Sequence, residues 1–182
     1  MESYERYFAL DHVKKLFSLD KKELIKIIID DAKNWLAMDG VWFQAIEFTK
    51  GLEEALKFDE MAWQRFSVIE ARRIMKRLGL EPGGGIPALM SCLEQRLYSR
   101  LNQIEFEEFD DKRLIYKLRT CRIQETRRRK GLPEFPCKSV GIIEFTNFSK
   151  TIDPRIKTTC LVCPPDKHPE DYWCRWEFVI KE

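Results

Sequence analysis

The sequence contains no apolar run long enough to cross a bilayer. Its longest aliphatic stretch, Leu24 to Ile29, is broken by Lys26 and closed by Asp30 and Asp31, whereas a span needs about 20 apolar residues. Met1 to Leu10 carries Glu2, Glu5 and Arg6 and lacks the apolar core that export requires. These absences argue against a membrane partner and predict a cytoplasmic location. An excess of one charge is missing as well. The 32 Lys+Arg against 30 Asp+Glu leave a net charge of +2, which gives little attraction toward a phosphate backbone and predicts no nucleic-acid partner. Histidine is scarce, and only His168 lies near the cysteines described below, so no Cys–His catalytic pair can be asserted. Internal repeats and low-complexity tracts are absent. Gly83, Gly84 and Gly85 do not form a phosphate loop, because a helical pattern precedes them and no Gly-Lys-Ser/Thr follows.

What remains is a chain of 182 residues with 44% hydrophobic and 12% aromatic residues, enough to bury a core without disulfides. Residues 1–102 read as helices. Asp20-Lys21-Lys22-Glu23 has the form of a capping box, followed by Leu24, Ile27, Ile28, Ala32, Trp35 and Leu36 at helical spacing. Asp39-Gly40 predicts an interruption, and Asp59 predicts the cap of a further helix that carries Trp63, Phe66, Ile69 and Ile74. Pro82 to Gly85 ends that helix, and Leu89, Leu93, Leu97 and Leu101 mark the next one. From residue 103 the period changes to alternation. Two strands meet at Asp110-Asp111, a basic helix runs from Arg122 to Lys130, a longer helix runs from Cys137 to Lys150, and two strands close the chain. The expected fold class is α+β, with a helical N-terminal half (1–102) packed on a roughly four-stranded antiparallel sheet with inserted helices (103–182), all in one domain.

Five of the six cysteines lie in the second half. Cytosolic thiols stay reduced, so grouped cysteines there bind metal or react more often than they form disulfides. Cys160-x2-Cys163 can present two thiolates to one tetrahedral ion, the following strand returns Cys174 toward Cys160, and Cys137 can supply a fourth ligand. Zinc is the expected ion. Cys137 has a second possible role as a nucleophile, because it precedes a helix whose dipole favours a thiolate. Cys121 is a reserve partner for it. Glu47, on an aromatic-rich helix, is a candidate general base. Trp42, Arg122 and Arg155 are candidate contacts for a small acidic or aromatic ligand.

Several segments together carry a resemblance. They are Asp39-Gly40-Val41-Trp42-Phe43-Gln44-Ala45-Ile46-Glu47, Cys121-Arg122-Ile123-Gln124, Phe135-Pro136-Cys137-Lys138, Ile152-Asp153-Pro154-Arg155-Ile156, Cys160-x2-Cys163-Pro164-Pro165-Asp166 and Trp173-Cys174-Arg175-Trp176-Glu177-Phe178. In these the chain resembles a family of uncharacterised bacterial and archaeal cytosolic proteins. That family is distantly similar to the L-2-amino-thiazoline-4-carboxylic acid hydrolases and to the 4-vinyl reductase type of ligand-binding domain. The resemblance implies a small-molecule pocket between helices and sheet, and a homodimer. The expected function is therefore small-molecule binding supported by a cysteine-bound metal. The alternative is hydrolysis of a small thiazoline-like or amide substrate by Cys137 or metal-bound water.

Overall fold

Asp20 accepts a hydrogen bond from the Glu23 backbone N–H at 2.9 Å, and the cap it forms starts a helix of 30 residues. The computed structural model describes residues 4–180. Residues 1–3, which open the segment read above as lacking an export core, lie outside the described residues, as do residues 181–182. Two short helices, α1 (Glu5–Phe8) and α2 (Asp11–Lys14), precede the capped helix α3 (Lys21–Lys50). The predicted interruption at Asp39-Gly40 does not occur, and α3 runs through both residues. A glycine inside a helix costs about 1 kcal/mol, a cost that packing of the Ala32–Leu36 face against the next helix overrides. The break falls instead at Gly51, whose φ of 93° few L-residues tolerate. Helix α4 (Leu52–Leu78) begins immediately after it, so Asp59 lies two turns inside α4 and does not cap it.

Gly79, left-handed at φ 68°, closes α4, and the Leu80 N–H donates to the Met75 carbonyl at 2.9 Å. Helix α5 (Gly85–Glu94) follows. Its leucine stripe was expected to continue to Leu101, but the chain turns into a 3-10 segment at Tyr98–Arg100.

The second half supplies β1 (Ile104–Glu107), β2 (Arg113–Leu118), α6 (Arg122–Arg129), α7 (Lys138–Ile152), β3 (Ile156–Val162) and β4 (Cys174–Ile180). Asp110 Oδ1 accepts from the Lys112 and Arg113 N–H groups and shapes the β1–β2 turn. The sheet has the order β1-β2-β4-β3, and every neighbouring pair is antiparallel. The fold is α+β, with a helical N-terminal half, as expected.

Alternation decides which residues face the helices. Leu114, Tyr116, Trp176, Phe178 and Ile156 form the inner face and join Phe145, Phe148 and Ile152 of α7 in the main core. Each large apolar side chain buried there contributes about 1.5–3 kcal/mol. Helix α7 lies on the sheet, α4 packs along α7, and α3 packs along α4. The opposite face of the sheet carries ion pairs, among them Arg113–Glu177 at 2.9 Å, Arg119–Glu105 at 3.0 Å and Arg175–Glu107 at 3.1 Å. Ile115 is fully buried on that charged face, in register with Glu107 and Glu177.

No described helix is long and apolar enough to cross a membrane. Met38, Val41, Trp42 and Phe48 leave an apolar strip exposed on the outer side of α3.

Candidate functional site

A cavity of about 320 Å³ lies between α3, α4, α7 and the inner face of the sheet, with α6 along its rim. Helical spacing explains which side chains reach it. On α3, Asp39 continues the inward stripe of Ala32 and Leu36 toward Phe43. On α4, Asp59 stands one turn from both Ala55 and Trp63. On α7, Glu144 stands between Gly141 and Phe148. Asp39, Asp59 and Glu144 therefore occupy positions where the surrounding pattern calls for apolar residues, and all three line the cavity.

Arg96 lies at the inner end of the cavity and is 3% exposed. Its Nη2 stands 2.8 Å from a Glu70 oxygen and 2.6 Å from a Glu144 oxygen. Its guanidinium also lies 4.7 Å from the Phe148 ring centre and 5.5 Å from that of Phe145. Burial opposes its charge, but the two carboxylates more than offset this and hold Arg96 more firmly protonated than usual. Burial likewise raises the Glu144 carboxyl, against the pull of Arg96. Asp39 is pushed up to about 6 by burial. Asp59 is pushed up to about 7 by burial and by the nearby charges of Asp39 and Glu144, with a hydrogen bond from Trp63 acting the other way. The cavity thus holds more acidic groups than its internal cation neutralises.

Trp176 forms part of the cavity wall and is 1% exposed. Its indole Nε1–H has no hydrogen-bond partner among the described residues. A buried donor in this state costs about 1–3 kcal/mol unless something meets it. Its six-membered ring rests on Gly141 so closely that a Cβ there would sit 2.8 Å from Trp176 Cζ2. Trp63, Tyr98, Phe43 and Phe135 complete an aromatic wall, in which Trp63 and Tyr98 lie 5.8 Å apart and Phe43 and Phe135 4.9 Å apart.

The cysteines gather at one side of this cavity. Cys137 Sγ and Cys163 Sγ are 3.5 Å apart, and the Cys163 thiol is also in hydrogen-bonding contact with Cys160 and Cys174. These contacts, with burial, push the Cys163 thiol far up, whereas hydrogen bonding from Cys163 and the charge of Lys138 lower Cys160. The sequence-predicted quartet is therefore brought together around Cys163. Among the described residues, no group of three or more His, Cys, Asp or Glu side chains is spread around a common ion position; the thiols touch one another instead.

Local structure sets this geometry. Buried Gln124 donates to the Phe135 carbonyl at 2.8 Å, accepts from the Phe135 N–H at 2.9 Å, and donates to Cys137 Sγ at 3.6 Å. Lys138 pairs with Asp166 at 2.7 Å and ties the start of α7 to the turn after Cys163. The other two cysteines stand outside the quartet. Cys92 is fully buried in α5, and burial pushes it up to about 11; burial also raises Cys121, which lines the cavity.

The remaining sequence candidates are dispersed. Glu47 does not line the cavity; both its oxygens accept from Arg127, at 2.8 Å each, in a pair that ties α3 to α6. Trp42 is 65% exposed on the outer strip of α3 and its neighbour Phe43 takes the inward place, because adjacent helical residues point about 100° apart. Arg122 does line the rim. Arg155 is held by buried Asp153, at 2.6 Å, and by the Gly83 carbonyl, at 3.2 Å, and fastens the Gly83–Gly85 loop to the end of α7. His168 packs on Trp173 and lies 3.6 Å from Glu134. His12 lies in α2, away from the cavity lining. Sequence reasoning missed Asp39, Asp59, Arg96, Gly141, Glu144 and Trp176. The available signal was an acid interrupting each of three apolar helical stripes.

Comparison with solved structures finds the same fold in the phenol-responsive sensory domain of the transcription activator PoxR, solved with phenol. The TM-score is 0.55 at 17% identity, covering 79% of this chain and 73% of that one. Comparison with curated proteins gives no match. Residues 15–180 match DUF6125, a family of unknown function, and the chain belongs to that family.

Proposed function

We propose that this protein is a small-molecule-binding domain whose ligand occupies the cavity between α3, α4, α7 and the sheet. The observation that carries the proposal is the unpartnered Trp176 indole N–H in the wall of an aromatic cavity that also collects Asp39, Asp59 and Glu144. A void serving only packing would be small and apolar, whereas a ligand site combines apolar walls with a few convergent polar groups. About 320 Å³ suits a one-ring compound. The shared fold with a sensory domain solved with phenol supports this reading. Glu47 is engaged by Arg127 on both oxygens, so the proposal assigns it no role as a base and assigns the domain no reaction.

The proposal includes a structural metal held by Cys137, Cys160, Cys163 and Cys174. Four thiolates at roughly 2.3 Å from a zinc ion lie about 3.8 Å from one another. Cys137 and Cys163 stand 3.5 Å apart, and since no group among the described residues is already arranged around an ion, the thiols would open slightly to admit one. An ion there would join the start of α7, the ends of β3 and the start of β4, and so fix one wall of the cavity. It also includes a homodimer formed through the exposed strip of Met38, Val41, Trp42 and Phe48. Light scattering of the purified protein tests that part, and a monomer at all concentrations would remove it. Ligand binding is tested by titrating small aromatics, phenol first, while following the fluorescence of cavity residues Trp63 and Trp176. Saturable change supports the proposal, and no change across the series contradicts it.

A further inference from the structure

The charge arrangement inside the cavity narrows the class of ligand. Three carboxylates, Asp39, Asp59 and Glu144, line it, and its one deep cation, Arg96, is shared between Glu144 and Glu70 at 2.6 and 2.8 Å. Five cations line the rim, Lys33, Arg122, Arg127, Arg129 and Lys130, and two of them, Lys33 and Arg127, are paired with carboxylates. Arg127 is held by Glu47 at 2.8 Å, Lys33 by Asp30 at 3.0 Å and Lys130 by Gln44 at 3.2 Å. No internal cation therefore stands opposite Asp39 and Asp59. Asp59 accepts a hydrogen bond from Trp63, and the Trp63 and Tyr98 rings already carry the Arg96 guanidinium, 5.9 and 5.6 Å from their centres. At another part of the wall the Trp176 Nε1–H lacks an acceptor.

We propose, resting on the small-molecule reading above, that the cavity selects a small organic ammonium of the aryl-alkyl amine class. Its charged nitrogen lies at Asp39 and Asp59, and its aromatic body runs along the cavity wall toward Trp176. An ammonium group supplies the countercharge that the two carboxylates lack, and further N–H donors beside the one that Trp63 gives Asp59. Burial raises both carboxyls, and an adjacent ammonium would oppose that rise and hold them ionised. An oxygen substituent on the ring would meet the Trp176 donor. A carboxylate ligand would face three acids inside the cavity and find Arg122 and Arg129 only at its rim.

Calorimetric titration of the intact protein with benzylamine, benzyl alcohol and benzoate, at a pH above the range in which Asp59 titrates, separates the outcomes. The expected result is benzylamine binding roughly tenfold or more tighter than either of the others, the scale of one charge-assisted hydrogen bond. In Asp39→Asn/Asp59→Asn that preference falls to within about twofold while benzyl alcohol binding persists. Asp39→Asn alone, which shortens no side chain, provides a second reading if the double variant fails to fold. Benzyl alcohol or benzoate binding as tightly as benzylamine overturns the amine inference and leaves the cavity reading standing. Binding by none of the three overturns both.

Discussion

Gly141 of α7 and Trp176 of β4 touch so closely that a methyl group at position 141 would overlap the indole ring, 2.8 Å from Cζ2 and 3.0 Å from Cη2. The contact joins helix to sheet and holds the tryptophan whose N–H lines the cavity. Gly141→Ala must displace a large ring that is almost wholly buried. The expected loss is about 1–3 kcal/mol, the usual scale for overpacking, despite the better helix propensity of alanine. Denaturant unfolding checks the loss, and near-ultraviolet circular dichroism checks the tryptophan shift. A variant more stable than the parent would show that the ring moves aside freely.

The Glu47–Arg127 pair gives a second prediction. The two side chains are 12% and 5% exposed and form paired bonds of 2.8 Å. Removing the carboxylate strands a buried guanidinium, so Glu47→Ala should lose about 3 kcal/mol or more by chemical denaturation. Glu47→Gln retains one acceptor and should lose less. A loss below about 0.5 kcal/mol, typical of a surface site, would mean that the pair is solvated in solution.

How much of this was legible in the sequence follows from the same residues. The Asp20 cap, the Asp110–Asp111 turn and the four alternating strands are local features, and periodicity and turn chemistry located them. The cysteine quartet was legible because a two-residue spacing and an antiparallel return place thiols together whatever surrounds them. Asp39 and Asp59 were misread for a physical reason. An aspartate beside a glycine, or before an apolar run, has the local signature of a helix end. Only the packing of α3 on α4 and of α4 on α7 shows that both acids face inward. Arg96 and Glu70 are 26 residues apart, and no local pattern announces their pairing.

The raised carboxyls set a pH dependence. Asp39 and Asp59 titrate near 6 and 7 in the folded protein, against an ordinary value of 3.8. The folded state therefore binds more protons than the unfolded state between about pH 4 and 7. Their contribution favours folding at low pH and is lost as pH rises through the folded values. Arg96, Tyr98, Glu144 and Glu70 face this region, and Lys33 lies on the same helix as Asp39. Unfolding free energies measured across that window should fall for the parent, and Asp39→Asn/Asp59→Asn should flatten the slope. An equal slope in both proteins would show that neither carboxyl is perturbed.

The metal proposed at Cys137, Cys160, Cys163 and Cys174 carries its own prediction. Untagged protein should carry about one zinc per chain by elemental mass spectrometry. Ser substitution of Cys137, Cys160, Cys163 or Cys174 should remove it with a large loss of stability. Cys92→Ser should keep the metal, because Cys92 lies in α5 outside the group. Metal-free protein with six freely titratable thiols would contradict the assignment.

The most direct test of the account compares the parent with Gly40→Phe. Gly40 borders the cavity from within α3, and a Cβ built there meets nothing within 4 Å. A ring at this position should occupy the cavity and leave folding intact, since replacing a helix-interior glycine gains a few tenths of a kcal/mol or more. Tryptophan fluorescence titrated with small aromatics, amines included, should saturate in the parent and not in Gly40→Phe, with both proteins equally folded by circular dichroism. Saturation in both alike, or in neither, would contradict a ligand site in this cavity.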